Sequence, residues 1–373
     1  MSGGSVILLG RRVFLLATAA TLLGAAAAPP KGYPRSYSKI IDAARREQRL
    51  IVYSTTGESD VARLLDAFRR HYPFIRLDYR EVQSGDLYRR IVAESRRGRP
   101  TADIAWSSAM DLQIKLVNDG YAQAYASPEK PNLPEWAIWK NEAYGVTAEP
   151  IMFVYNKALM PPGDIPTNHQ DLLRLLKSKP LFYRGRVAVP DPIRSGASYL
   201  HLTQDYLANR DLWDLAEEFG AVGAVPYQTS RQMLISVAEG KRILAYNVIG
   251  SYAMEWQSRD PRIQVVMPRD YTLVISRIAI IPNEARHPNA AKLFLDFLLS
   301  RPGQFALSQQ YMNPARADVP VHPGSKPATA SARPVRVGPT LLANLDQLKR
   351  RRFLKDWAQS LGVDRQSPAE TER

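Results

Sequence analysis

The sequence predicts an α/β protein of two lobes with a ligand cleft at a hinge that the chain crosses twice. Three observations carry this expectation. Strand-like and helix-like patterns alternate from residue 50 onward, and a second run with its own alternation occupies the middle of the chain. A long apolar segment at 272–281 can then run back to the first run, with helical patterns behind it to cover the sheet. The chain has 373 residues, and single cores stop growing at about 250–300 residues, so two lobes are the default.

In order, a β-branched run at 50–53 is followed by helical periodicity at 60–68, an alternating strand at 75–79 and a helix at 87–93. A third strand at 102–106 and a third helix at 112–117 complete a βαβαβ pattern. Right-handed crossovers turn that order into a parallel, doubly wound sheet, which binds ligands beyond the carboxyl ends of its strands. The loops at those ends are rich in hydroxyls: Ser54, Thr55 and Thr56 after the first strand, Ser84 after the second, Ser107 and Ser108 after the third. A strand at 151–156 leaves this lobe, and the stretches 187–189, 197–208, 230–237, 243–246 and 263–266 build the second. The segment 272–281 reads as one returning strand, and helices at 287–299 and 303–310 cover the first sheet. The expected bounds are 40–150 for lobe 1, completed by 275–318, and 151–274 for lobe 2.

Both ends read differently. Residues 1–28 carry a twin arginine, Arg11-Arg12, before an apolar stretch that closes on small residues ahead of Pro29-Pro30. That stretch is shorter than the ~20 residues a membrane span needs, so it predicts a twin-arginine-like export signal cleaved near Ala28, through the twin-arginine or the general route. Residues 319–373 read as a Pro-rich solvated extension followed by a terminal helix over 341–357, with Lys349-Arg350-Arg351-Arg352 as its solvated face; contact with anionic lipid or a partner is the alternative.

Cysteine is absent, which excludes disulfides, a thiol nucleophile and cysteine-ligated metals. The net charge of +14 favours anionic partners, and export argues against nucleic acid among them. No phosphate-binding glycine loop, nucleophile elbow or His-Glu-x-x-His occurs, two Ser-x-x-Lys matches lack their partner motifs, and the five histidines never fall at metal-ligand spacing. An enzyme is not expected.

The strongest local constellation is Arg194-Ser195-Gly196-Ala197. A proline turn delivers Ser195 to a helix start, Gly196 allows a ligand to approach the backbone, free N–H groups and the macrodipole favour an anion, and Arg194 adds a planar donor fork. Thr229-Ser230-Arg231 and Gly250-Ser251-Tyr252 precede two further helical patterns in the same way. Three such turns facing three hydroxyl-rich loops predict a polar cleft.

These segments resemble the bacterial extracellular solute-binding proteins of family 1, in the ferric-ion, thiamine and organophosphate branch of the type 2 periplasmic binding fold. The resemblance spans 40–316 and rests on Leu50-Ile51-Val52-Tyr53-Ser54, Ala102-Asp103-Ile104, Arg194-Ser195-Gly196-Ala197, the run from Gly240 to Asn247, and His287-Pro288-Asn289-Ala290-Ala291-Lys292-Leu293-Phe294. It implies a monomeric periplasmic receptor, without cofactor, that closes two lobes around a solute and delivers it to an inner-membrane ABC permease. Ferric members resemble one another in paired tyrosines where this chain has Ser251-Tyr252, and in a His or Glu where it has Ser54-Thr55-Thr56. One tyrosine is a poor cage for a hard trivalent cation unless Glu58, Glu149 or an added anion joins it. The expected solute is therefore a small organic phosphate or carboxylate. The alternatives are Fe(III) held through Tyr252, a thiamine phosphate stacked on Trp256, Tyr199 and Tyr252, or a ligand sensed on behalf of a membrane kinase.

Overall fold

A computed structural model describes residues 29–326 and 329–362; the export signal expected at 1–28 lies outside them. The elements begin α1 (Ser38–Glu47), β1 (Arg49–Ser54), α2 (Ala62–His71), β2 (Arg76–Glu81), α3 (Ser84–Arg96), β3 (Ile104–Ser107) and α4 (Met110–Asn118). Then come β4 (Ile138–Trp139), β5 (Ala143–Gly145), β6 (Glu149–Asn156), α5 (His169–Ser178), α6 (Pro180–Tyr183), β7 (Val187–Pro190), α7 (Gly196–Ala208) and α8 (Leu212–Ala221). The rest are β8 (Val225–Tyr227), α9 (Ser230–Ala238), β9 (Leu244–Ile249), α10 (Gly250–Arg259), β10 (Ile263–Val266), β11 (Thr272–Ile275), β12 (Ile278–Ile280), α11 (Pro288–Leu299), α12 (Arg301–Ser308), β13 (Ala332–Pro334) and α13 (Gln347–Ser360).

Two sheets organise these elements. The first has the order β2-β1-β3-β12-β5-β4, the second β13-β11-β6-β9-β7-β8 with β10 pairing β6. The βαβαβ pattern predicts parallel strands at 50–53, 75–79 and 102–106, and they are parallel. Only β2, β1 and β3 are parallel; β12 runs antiparallel to β3 and β5. The reason is its origin: β12 enters from the second sheet at the cleft end, where β3 leaves, so it must run the opposite way.

The returning segment is also not one strand. It breaks at Ser276 and Arg277, with β11 in the second sheet and β12 in the first. The break lets the Arg277 side chain, 1% exposed, turn inward to Glu149, which is wholly buried where the outgoing crossing enters β6; Nε lies 2.7 Å from the carboxylate. Burial works against both charges, yet each partner outweighs it: the Glu149 carboxyl lies below its ordinary range and the Arg277 guanidinium above. The hinge is therefore pinned by one buried ion pair between these two crossing chains, and the chain crosses a third time between α12 and β13.

The segment expected as a solvated extension instead joins the body. β13 pairs parallel with β11 through Thr272, Leu273 and Val274, and Val335, Val337 and Leu341 are buried. A 3-10 turn at Pro339–Asn344 packs on α4, and α13 lies along α8 with Phe353 and Trp357 in the second core. In the basic run Lys349, Arg351 and Arg352 are exposed, whereas the Arg350 guanidinium sits 4.3 Å over the Tyr199 ring. Alternation with prolines hides a strand of three residues, so composition pointed to solvent where pairing prevailed.

Candidate functional site

The carboxyl ends of β1 and β3 and the first turns of α3, α7, α9 and α10 enclose a cavity of about 160 Å³. On the wall of the first sheet lie Thr55, Ser84 and Ser108 with two carboxylates, Asp60 and Glu81; on the other lie Ser195, Ala197, Ser198, Thr229, Ser230 and Arg231. Tyr252, in the first turn of α10, closes one side.

Local sequence explains each start. Ser195 caps α7 by accepting from the Ser198 amide, and Thr229 caps α9 in a reciprocal box with Gln232. Ser230 Oγ accepts from the Ile249 amide at 3.1 Å, which ties the start of α9 to that of α10. Caps satisfy only some first-turn donors, and helix geometry leaves the amides of the first turn without intrahelical acceptors. Four positive helix ends thus converge on one space.

The expected residues divide by what their hydroxyls already do. Thr55, Ser108, Ser195, Ala197, Thr229, Ser230 and Tyr252 line the cleft. Ser54 and Ser107 lie behind it, each accepting from the backbone amide two residues on. Thr56 accepts from Arg277 at 2.6 Å, and Ser251 donates to Glu149, so both belong to the hinge. Gly196 abuts the opposite lobe: a Cβ there would stand 3.1 Å from Leu112 Cδ1 and from Ser84 Oγ. Arg194 is placed elsewhere. Its amide and that of Ile193 wind onto Asp191 Oδ1, which turns its side chain, 69% exposed, to a surface groove shared with Gln232 and Lys241.

The cation that does reach the cleft is Arg231. One of its terminal nitrogens donates to both Asp60 oxygens, at 2.6 and 2.8 Å, across the gap between lobes. The lobes are therefore closed. Of the aromatics named for stacking, only Tyr252 reaches the space; Tyr199 is buried beneath Arg350 and Phe353, and Trp256 lies off the lining. Tyr252 accepts from Arg277 at 3.3 Å, and burial raises its pKa although Arg277 pulls it down. Among the described residues no three His, Cys, Asp or Glu side chains stand together as a metal-binding group, and none of the helices is long and apolar enough to cross a membrane.

Sequence reading missed Asp60, Glu81, His201 and Asn247, all on the lining. A signal for His201 existed: Ser198, His201 and Asp205 fall at spacings of three and four on α7, a polar stripe down one face.

Comparison with known proteins agrees with this architecture. The sequence pattern of the bacterial extracellular solute-binding proteins matches residues 99–339. The substrate-binding protein of an ABC transporter from Agrobacterium tumefaciens is 36% identical, with 84% of this chain and 94% of that one covered and a TM-score of 0.79. Two more distant structures share the fold. The periplasmic binding protein AfuA of Actinobacillus pleuropneumoniae, bound to fructose 6-phosphate, is 18% identical over 84% of this chain and 99% of its own, TM-score 0.71. Iron-bound HitA of Pseudomonas aeruginosa is 19% identical over the same shares, TM-score 0.68. No curated protein sequence matches. With its two-sheet fold, the cleft between them and these likenesses, the chain belongs to the family of bacterial extracellular solute-binding proteins.

Proposed function

We propose that this protein is the periplasmic receptor of an ABC importer, acting as a monomer and closing on a small organic anion, a phosphate ester or a carboxylate. The convergence of four helix first turns on one closed cleft carries the reading: together they supply free N–H donors and a positive potential to a space that also holds Arg231. Asp60 occupies only part of the Arg231 fork, and a guanidinium has five donors, so Nε and the second terminal nitrogen are open to an anion. The acidic side chains stand on the opposite wall, which suits a solute whose charged end faces α7, α9 and α10 and whose other end donates hydrogen bonds.

The donor set argues against a ferric cage. Glu149 is committed to Arg277, Glu58 to Arg69 at the surface, and the Tyr252 phenol is held neutral by burial. A thiamine ring lacks two of its three stacking partners.

Native mass spectrometry of protein from periplasmic extract tests the reading, with calorimetry on whatever organic anion is found. The expected result is an organic anion without iron, and an Arg231→Ala variant weakened about ten- to a hundredfold by loss of charge-assisted hydrogen bonds. Bound iron with a visible charge-transfer band that disappears in Tyr252→Phe would reverse it.

A further inference from the structure

Two neighbouring polar atoms at the cleft lack a well-formed hydrogen bond although both are buried. His201 is 3% exposed and Asn247 2%, both line the cavity, and the two side chains stand close enough to interact while neither His201 Nε2 nor Asn247 Oδ1 completes a hydrogen bond of full geometry. Leaving such atoms unsatisfied costs stability, so native structures rarely do it without a reason. The setting shows that neither is an accident of side-chain placement. Asn247 Nδ2 is fixed on the buried Asp205 carboxylate at 2.6 Å, with Tyr246 and Tyr271 donating to the same group, so the amide has one orientation and its oxygen is the atom left over. The backbone is bent to the same end. Asn247 sits at φ 61°, where β9 carries an extra residue against β6 and the register shifts between Met152 and Val154. A bulge of this kind re-aims a side chain out of the ladder.

We propose that His201 and Asn247 form a hydroxyl-reading pair in the cleft, and that the solute is accordingly a polyhydroxylated anion. A hydroxyl is the small neutral group that donates and accepts at a single atom: it gives its proton to Asn247 Oδ1 and takes one from Nε2–H of His201. Burial holds the imidazole neutral, its pKa depressed to about 4 despite the neighbouring Asn247 and Glu149, so His201 offers hydrogen bonds and no charge to the anionic head. An ammonium group could donate to both atoms. An ammonium would instead seek the carboxylates of the same cavity, Asp60 and Glu81, so the amine and hydroxyl readings are separated by the probes below.

The inference rests on the anionic reading above, and its test separates the two. Calorimetry on the full mature chain compares two pairs of probes, each a hydroxylated anion and its bare counterpart: fructose 6-phosphate with butyl phosphate, and gluconate with hexanoate. In the wild type the hydroxylated member of the pair that binds should be favoured about tenfold or more, the worth of one or two hydrogen bonds. His201→Leu should abolish that preference, the hydroxylated anion losing about tenfold in affinity relative to the bare one, and His201→Gln, which restores a donor, should recover part of it. Asn247→Gly, which keeps the left-handed backbone accessible, should lose the same preference. If the wild type binds the bare and hydroxylated anions alike, or if the preference survives His201→Leu, the pair does not read a hydroxyl. Failure of all four anions to bind sinks the anionic reading itself.

Discussion

Asp111, in the first turn of α4, has its carboxyl pushed up to about 7 by burial, against the pull of the Leu112 amide and the nearby Arg350 charge. An unfolded carboxyl titrates near 3.8, so between these values the folded protein holds a proton that the unfolded chain has released. Its contribution to stability is thus present at low pH and lost as pH rises through about 7. Asp111→Asn keeps the Leu112 hydrogen bond without the charge, and thermal melts should show it several degrees more stable than wild type at pH 8 and no different near pH 4. A larger gain at pH 4 than at pH 8 would contradict this account. Arg277 shows the reverse case, a charge the fold cannot spare. Arg277→Met strands Glu149 and should cost about 3–5 kcal/mol, with part recovered when Glu149→Gln is added, read from denaturant midpoints. Neither role was legible in the sequence. Hydroxyls at strand ends could be found because sheet topology fixes where they go, whereas the outward turn of Arg194 depends on how Asp191 winds the preceding loop. Arg277 is simply one basic residue in an apolar run until the run is seen to break there.

At the scale of elements, nearly every expected strand and helix of the two sheets was readable, because hydrophobic periodicity records which face is buried. What periodicity could not show was the partner. The docking of α13 on α8 turns on one close approach: a Cβ at Gly220 would lie 1.8 Å from the Ser360 carbonyl oxygen. Gly220→Ala should force the helices apart at about 1–3 kcal/mol, and limited proteolysis should then release the terminal helix before either lobe is cut; resistance equal to wild type would show that the crossing relaxes freely. Gly196 plays a comparable part between lobes. Gly196→Val projects carbons onto Leu112 and Ser84, so it should leave each lobe folded but hold the pair open, seen as a larger radius of gyration in small-angle scattering.

For the molecule as a whole, the two crossings near Glu149 and Arg277 fix the hinge, while Arg231 and Asp60 meet across its far side. These pairs differ in kind. The first is sealed from water and insensitive to salt; the second includes an arginine 48% exposed and is screened by it. Raising ionic strength should therefore shift the empty protein toward open forms, measured as a rise in scattering radius that Asp60→Asn abolishes by removing the pair.

That cross-cleft bridge has a further consequence. On the anionic reading proposed above, Asp60 is a tethered rival for the cargo, a carboxylate already seated on one nitrogen of the guanidinium that the anion would share. An internal rival lowers affinity for every anion by the same factor, but it bites hardest on weak or incomplete ones, which cannot displace it at the concentrations they reach. Asp60 would then set a threshold that solutes making few contacts do not cross at the concentrations they reach.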